Sequence, residues 1–236
     1  MPDGQQNHWV FLHFEDPGKE MEMMERTSKV KQLVFVGMMG AVSTVLMMLN
    51  FSLPFVPGFL KFDISELPAL FAGFFLGPQS GCMVIILKVF LKLLFEGSDT
   101  AYVGELMNIM GSVSFILPAS LIYRWKHTKK GAIVAMAVSS VLVSLVFIFI
   151  NTYLAFPLYS KLYGMPMEVI IGMGTAINPM ITDLPTLMLF SVFPFNLLKH
   201  GITSMITYLI YKKAGNTLRS MIGVPHKNYV QSAEKI

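Results

Sequence analysis

The chain has 236 residues, of which 54% are hydrophobic and 14% charged, with a mean hydropathy of +0.60 and a formal net charge of +4. That composition excludes a sizeable soluble domain and describes a polytopic membrane protein, with room for about six spans of roughly 20 residues joined by short loops. The basic residues cluster between hydrophobic runs, a topology signal rather than a nucleic-acid footprint, and the single Cys82 excludes an intrachain disulfide.

Residues 1–26 are polar, contain Pro2, Gly4, Pro17 and Gly18, and lack the apolar core of a signal peptide. They read as a disordered cytoplasmic tail, with Met21, Met23 and Met24 as alternative starts. A single membrane domain is expected over residues 27–213 and a second cytoplasmic tail over 214–236. The first span is expected from Gln32 to Leu49. Within it Gly37 and Ala41 form a small-xxx-small pair, which admits a close neighbour either inside the bundle or at an intersubunit face. Pro54, Pro57 and Gly58 then break the helix and leave an apolar loop with Phe51, Phe55, Phe59 and Leu60, either a lid over an apolar ligand or a loop among the headgroups. Ser65 is placed to cap a short second span from Glu66 to Leu76, with Pro68 in its first turn.

The third span runs from Ser80 to Phe95, and Lys88, Lys92 and Glu96 at successive i, i+4 positions read as a salt-bridged outer rim. After the loop from Gly97 to Gly104, a fourth span from Glu105 to Tyr123 puts Glu105, Asn108 and Ser112 on one face and contains Pro118 as a kink. Arg124, Lys126, His127, Lys129 and Lys130 form the strongest basic cluster. A long apolar fifth span from Ala132 to Leu158 buries Asn151 past its middle. Residues 159–193 are interrupted by Gly172, Gly174, Pro179, Asp183 and Pro185. A seventh span there would place the basic C-terminal tail outside, against the positive-inside rule, so this segment is expected to be a re-entrant or outer-surface element packed on the bundle.

The last span runs from Pro194 to Tyr211. Asn196, Lys199, Thr203 and Thr207 recur along it at spacings of three and four and share one face. An intramembrane lysine costs roughly 2.5 to 3.5 kcal/mol on insertion scales unless it is partnered, so Lys199 marks a candidate site; snorkelling to the interface is the alternative. His200, about 100° further round the helix, is assigned to packing. The expected fold is an all-α integral membrane protein, a six-transmembrane-helix bundle with both termini cytoplasmic. Glu105, Asn108, Asn151, Asn196 and Lys199 then gather toward the outer ends of their helices, beneath the two apolar and glycine-bounded loops. Such a pocket suits an amphipathic ligand with a flat apolar part and several hydrogen-bonding groups.

Three stretches carry a further signal: FLKFDISELPALFAGFFLGP from Phe59 to Pro78, GELMNIMGS from Gly104 to Ser112, and PFNLLKH from Pro194 to His200. They resemble the riboflavin-specific substrate-binding (S) subunits of energy-coupling factor (ECF) transporters, the RibU type, and the likeness runs in order over about residues 31–213. The resemblance implies a six-helix fold in a bacterial plasma membrane that takes riboflavin from outside. It also implies association with a transmembrane coupling subunit and two ATPase subunits, whose work tilts the binding subunit. By the same likeness Asn196 and Lys199 hydrogen-bond the flavin ring, Asn151 and Glu105 add polar contacts, the loop with Leu60 is a gate, and Gly37 to Ala41 is a docking face. Glu105 or Asn108 suits the ribityl hydroxyls. The N-terminal tail departs from the compact form of the family.

The chain has no GxxxxGK[ST] phosphate loop, so ATP hydrolysis is expected from partners, and the chain is expected to be neither an enzyme nor the holder of a metal or cofactor. Three readings compete: an S subunit for another vitamin, an intramembrane enzyme using Glu105 or Asp183 with Lys199 as acid and base, and a membrane scaffold with no ligand.

Overall fold

The structure, a computed structural model, describes the backbone of residues 17–222 and the side chains of residues 29–213. Helix α1 (Pro17–Met48) begins inside the stretch expected to be a disordered tail. Residues 19–26 consist of Glu, Met, Lys and Arg alone, which favour helix, so the apolar helix from Lys29 simply continues backward. The expectations for residues 1–16 and 223–236 lie outside the described residues.

The apolar loop after α1 is organised by a two-stranded antiparallel hairpin, β1 (Phe51–Ser52) and β2 (Lys61–Phe62). Part of its apolar surface is covered from within, where Val56, Leu60 and Phe62 cluster with Phe195 from the last helix, while Phe51 and Phe55 stay exposed. Helix α2 (Glu66–Leu76) is apolar on every side and buried from Glu66 to Phe74. Eleven residues reach only about 16 Å, well short of a hydrocarbon core of about 30 Å. α2 therefore lives inside a sheath of α1, α3 (Pro78–Glu96), α4 (Val103–Trp125) and α9 (Phe193–Ile222).

The glycines show which faces are in use. A Cβ on Gly81 would meet Ile116 Cγ2 at 2.7 Å and the Ala69 carbonyl oxygen at 3.1 Å, so α2 and α3 pack backbone to backbone there. Gly81→Ala is expected to cost about 1–3 kcal/mol by overpacking, read as a lower thermal midpoint in detergent; an unchanged midpoint would mean that the two helices are not held this close. Gly40 turns toward Leu87 on α3. Gly37, in contrast, has nothing within 4 Å of where its Cβ would be, and Ala41 is exposed. Of the two uses expected for that pair, packing inside the bundle falls away.

Helix α5 (Lys129–Ile150), capped by the Thr128 hydroxyl accepting from the Gly131 amide at 2.9 Å, continues through a π turn (Asn151–Ala155) into α6 (Phe156–Tyr163). Next come the short α7 (Met167–Thr175) and α8 (Leu184–Leu187), the latter opened by an Asp183–Thr186 capping box. A second π turn (Met188–Val192) joins α8 to α9, so the last helical run starts at Leu184, earlier than the expected Pro194. α7 has nine residues, about 14 Å, too few to cross a membrane. It packs inward through Ile170 and Gly174, the latter against Leu187 and Ile181.

Both π turns have the same cause. Each is followed directly by a Phe-Pro pair, Phe156-Pro157 and Phe193-Pro194. A proline ring collides with the carbonyl four residues back in a regular α-helix; widening the turn by one residue moves that carbonyl aside. Phe156 and Phe193 amides accordingly donate to Asn151 and Met188 carbonyls, five residues back.

Among the described residues four helical stretches are long and apolar enough to cross a membrane, Lys29–Met48, Pro78–Glu96, Val103–Trp125 and Lys129–Tyr163. One end of the bundle is basic: exposed Lys126, Lys129 and Lys130 lie at the α4–α5 turn. The Tyr123 and Tyr211 hydroxyls, 2.8 Å apart, bring the Lys212–Lys213 end of α9 to that same side.

Candidate functional site

At the other end of the bundle, between the α1–α2 hairpin and the α3–α4 loop, lies a cavity of about 440 Å³. Phe59, Met107, Phe147, Phe156 and Phe195 give it flat apolar walls. The six residues singled out from the sequence, Leu60, Glu105, Asn108, Asn151, Asn196 and Lys199, all line it.

The two asparagines are set by the π turns. Asn151 opens the first and donates from Nδ2 to the Phe147 carbonyl at 2.8 Å; Asn196, one turn past the second, donates likewise to Val192 at 2.8 Å. Each amide is thereby pinned by one N–H and retains its carbonyl oxygen and second N–H for a ligand. Asn108 accepts only a long bond from the Ser112 hydroxyl, 3.4 Å. On α9, Thr203 and Thr207 bond back to the carbonyls of Lys199 and Thr203 and are fully buried, so the polar row splits into two cavity residues and two packing residues. His200 packs edge-on against Phe115, with its Nδ1 2.8 Å from the Asn196 carbonyl oxygen.

Lys199 is 8% exposed and partnered. Its ammonium donates to Asp63 Oδ2 at 2.8 Å and lies 3.8 Å from Glu66 Oε1. A second buried lysine meets the same Glu66: Lys88, fully enclosed, donates to Ser65 Oγ at 2.8 Å, Ser112 Oγ at 3.1 Å and Glu66 Oε1 at 3.3 Å. Two cations and two carboxylates thus form a neutral quartet where α2 begins, which removes any need for Lys199 to snorkel. The outer rim expected of Lys88, Lys92 and Glu96 does not form. Lys88 faces α2, Lys92 pairs with Glu105 at 2.9 Å, and Glu96 is exposed. Spacing along α3 reveals which side chains share a face; it is silent about the carboxylates of α2 that this face meets. Ser65, at the N-cap position, makes no cap bond because its hydroxyl serves Lys88, and its carbonyl accepts from Ser43 on α1.

Glu105 is committed as well. Its Oε1 accepts from Lys92, and its Oε2 accepts from Ser98 at 2.8 Å and Thr100 at 3.1 Å. The carboxylate therefore organises the α3–α4 loop, in which Ala101 and Tyr102 take left-handed backbone conformations with φ of 45° and 66°. Asp183 lies outside the cavity lining, fully exposed in its capping box, where the Thr186 hydroxyl holds its carboxyl below the usual carboxylate range. An acid–base set of Asp183 with Lys199 is not assembled.

Sequence reasoning missed Asp63, Glu66 and Lys88. The rule that flagged Lys199, an ionisable residue inside an apolar run, applies equally to Lys88 in VIILKVFLKLL and to the two carboxylates of FDISELPALF.

The family model of the ECF transporter substrate-specific component matches residues 31–211. This chain belongs to that family. Its curated relatives include the riboflavin transporter RibU of Staphylococcus aureus (strain TCH60), 28% identical over 189 residues that cover 80% of this chain and 93% of the relative. The riboflavin transporter FmnP of Bacillus subtilis (strain 168) is 29% identical over 188 residues, 78% and 92% of the two chains. A solved structure of the S component of a bacterial ECF transporter superposes with a TM-score of 0.64 at 29% identity, covering 81% of this chain and 99% of the other. The architecture is therefore that of an ECF S component, a membrane-type helical protein and the substrate-binding part of a transporter.

Proposed function

We propose that this chain is the riboflavin-binding S subunit of an ECF importer, loading riboflavin from the outer face of the membrane into the 440 Å³ cavity. The observation that carries this reading is the combination in one cavity of flat aromatic walls with two pinned asparagines and an oriented lysine, in a chain whose relatives are riboflavin transporters. A volume within the few-hundred to thousand Å³ range of ligand sites suits a ligand of this size. Asn196 and Lys199 face the carbonyl edge of the flavin ring, Leu60 and Phe59 cover it, and Asn108 and Asn151 serve the ribityl hydroxyls; Glu105 acts at one remove, by shaping the α3–α4 loop.

The six-helix bundle of this reading consists of α1, α3, α4, the α5–α6 run and the α8–α9 run, with the short α2 sheathed among them, within a single membrane domain over residues 27–213. Lys126, Lys129, Lys130, Lys212 and Lys213 at one end support cytoplasmic termini in a bacterial plasma membrane. The open Gly37–Ala41 face of α1 docks a transmembrane coupling subunit, and two ATPase subunits supply the energy.

The test is a riboflavin fluorescence titration of the detergent-purified protein, with its visible absorption recorded first. Saturable one-to-one quenching, undisturbed by excess thiamine or biotin, is expected. Untouched riboflavin fluorescence from a folded, ligand-free protein would overturn the assignment.

A further inference from the structure

The ammonium of Lys199 is oriented from outside its own helix. Asp63 directly follows β2, and its carboxylate is divided between two tasks: Oδ1 accepts from the Ser65 amide at 2.9 Å, and Oδ2 accepts from Lys199 at 2.8 Å. The first bond fixes the carboxylate to the start of α2; the second reaches α9. The hairpin's apolar side meets the same helix, through Val56, Leu60 and Phe62 against Phe195. Asp63 and Lys199 both line the cavity, whereas Glu66, the other carboxylate near Lys199, does not.

A lysine is a point charge on a flexible four-carbon stem and needs an external anchor to present a donor in one place. Asp63 supplies that anchor on the cavity side. Without it the nearest carboxylate is Glu66, 3.8 Å away and already engaged by Lys88, so the ammonium stays charged and paired but is drawn off the cavity wall. Loss of Asp63 should therefore cost binding while the fold survives.

We propose that Asp63 is a positioning residue for the transported ligand: it holds the Lys199 ammonium at the cavity wall, oriented toward a ligand carbonyl, and by the same bond ties the covering hairpin to α9. This rests on the riboflavin reading above. It adds that closure of the hairpin and preparation of the Lys199 donor are one event, because the two share the Asp63 carboxylate.

The test is a double-mutant cycle on the full chain in detergent, read by riboflavin quenching and by thermal midpoint. Asp63→Asn is isosteric and still accepts from the Ser65 amide; it is expected to weaken riboflavin binding at least tenfold, and Asp63→Glu to recover most of the loss. In a Lys199→Met background the same Asp63→Asn change is expected to alter affinity less than threefold, since the group it positions is gone. Wild-type affinity in Asp63→Asn overturns the proposal, as does an equal loss with and without Lys199, which would make the role purely structural. Should Asp63→Asn not fold, Asp63→Ser replaces it in the same cycle with the same expected and overturning results. Failure of the wild-type chain to bind riboflavin instead overturns the underlying reading; intact wild-type binding with no Asp63 effect overturns this inference alone.

Discussion

Lys88→Met should be among the most damaging single substitutions in this chain, lowering stability by roughly 3–5 kcal/mol. Lys88 is fully buried and is the closer of the two cations that neutralise Glu66, at 3.3 Å against 3.8 Å for Lys199. Glu66 Oε2 already lacks a hydrogen-bond partner. Removing Lys88 thus leaves a buried carboxylate short of charge and of donors, and strips Ser65 and Ser112 of theirs. The expected readout is a strongly depressed thermal midpoint and poor recovery from the membrane. The companion Lys88→Met/Glu66→Gln should recover much of that loss, because removing both members of a buried pair leaves no lone charge. A single variant as stable as wild type would show that the quartet does not hold α2 in place.

Lys199→Ala should act on binding rather than on folding. Lys199 sits at the cavity edge of the same quartet, and its partner Asp63 keeps the Ser65 amide after the lysine is gone. Riboflavin affinity should fall at least tenfold, about 1.4 kcal/mol or more, with a smaller change in thermal midpoint than Lys88→Met produces. Unaltered affinity in the titration would remove Lys199 from the site. The contrast between the two lysines matters because they share Glu66: one holds the helices together, the other faces the ligand.

Why the sequence disclosed one lysine and not the other lies in the company each keeps on its own helix: Lys88 is spaced with Lys92 and Glu96 like one member of a surface ion-pair row. Asn196 and Lys199 stand on one helix in an otherwise apolar run, so helical periodicity brings them together without any tertiary knowledge. Asn108, Asn151 and Leu60 come to the same cavity because short connections force neighbouring helices to alternate direction, which places their polar ends on one side. The quartet is different. Asp63 and Lys199 are 136 residues apart, and only the burial of α2 among four other helices turns its leading carboxylates inward. A loop aspartate and a first-turn glutamate are ordinary surface residues in most contexts. The hairpin after α1 was also hidden, since Pro54, Pro57 and Gly58 announce a break but not the cover that Phe195 supplies. The π turns, in contrast, had a visible mark in the repeated Phe-Pro pair, which local propensity alone does not translate into a widened turn.

Each of those widened turns is one residue of surplus chain. Phe147 and Asn151 lie before the first surplus and Phe156 and Tyr159 after it, and all four line the cavity. Deleting a single residue between Thr152 and Ala155 would put the Pro157 ring back against the carbonyl four residues before it, so the run would bend there and carry Phe156 and Tyr159 away from Phe147 and Asn151. Composition and hydropathy would hardly register the loss. The recognition surface of this protein is therefore sensitive to the loss of a single codon at two points where its side chains alone give no warning.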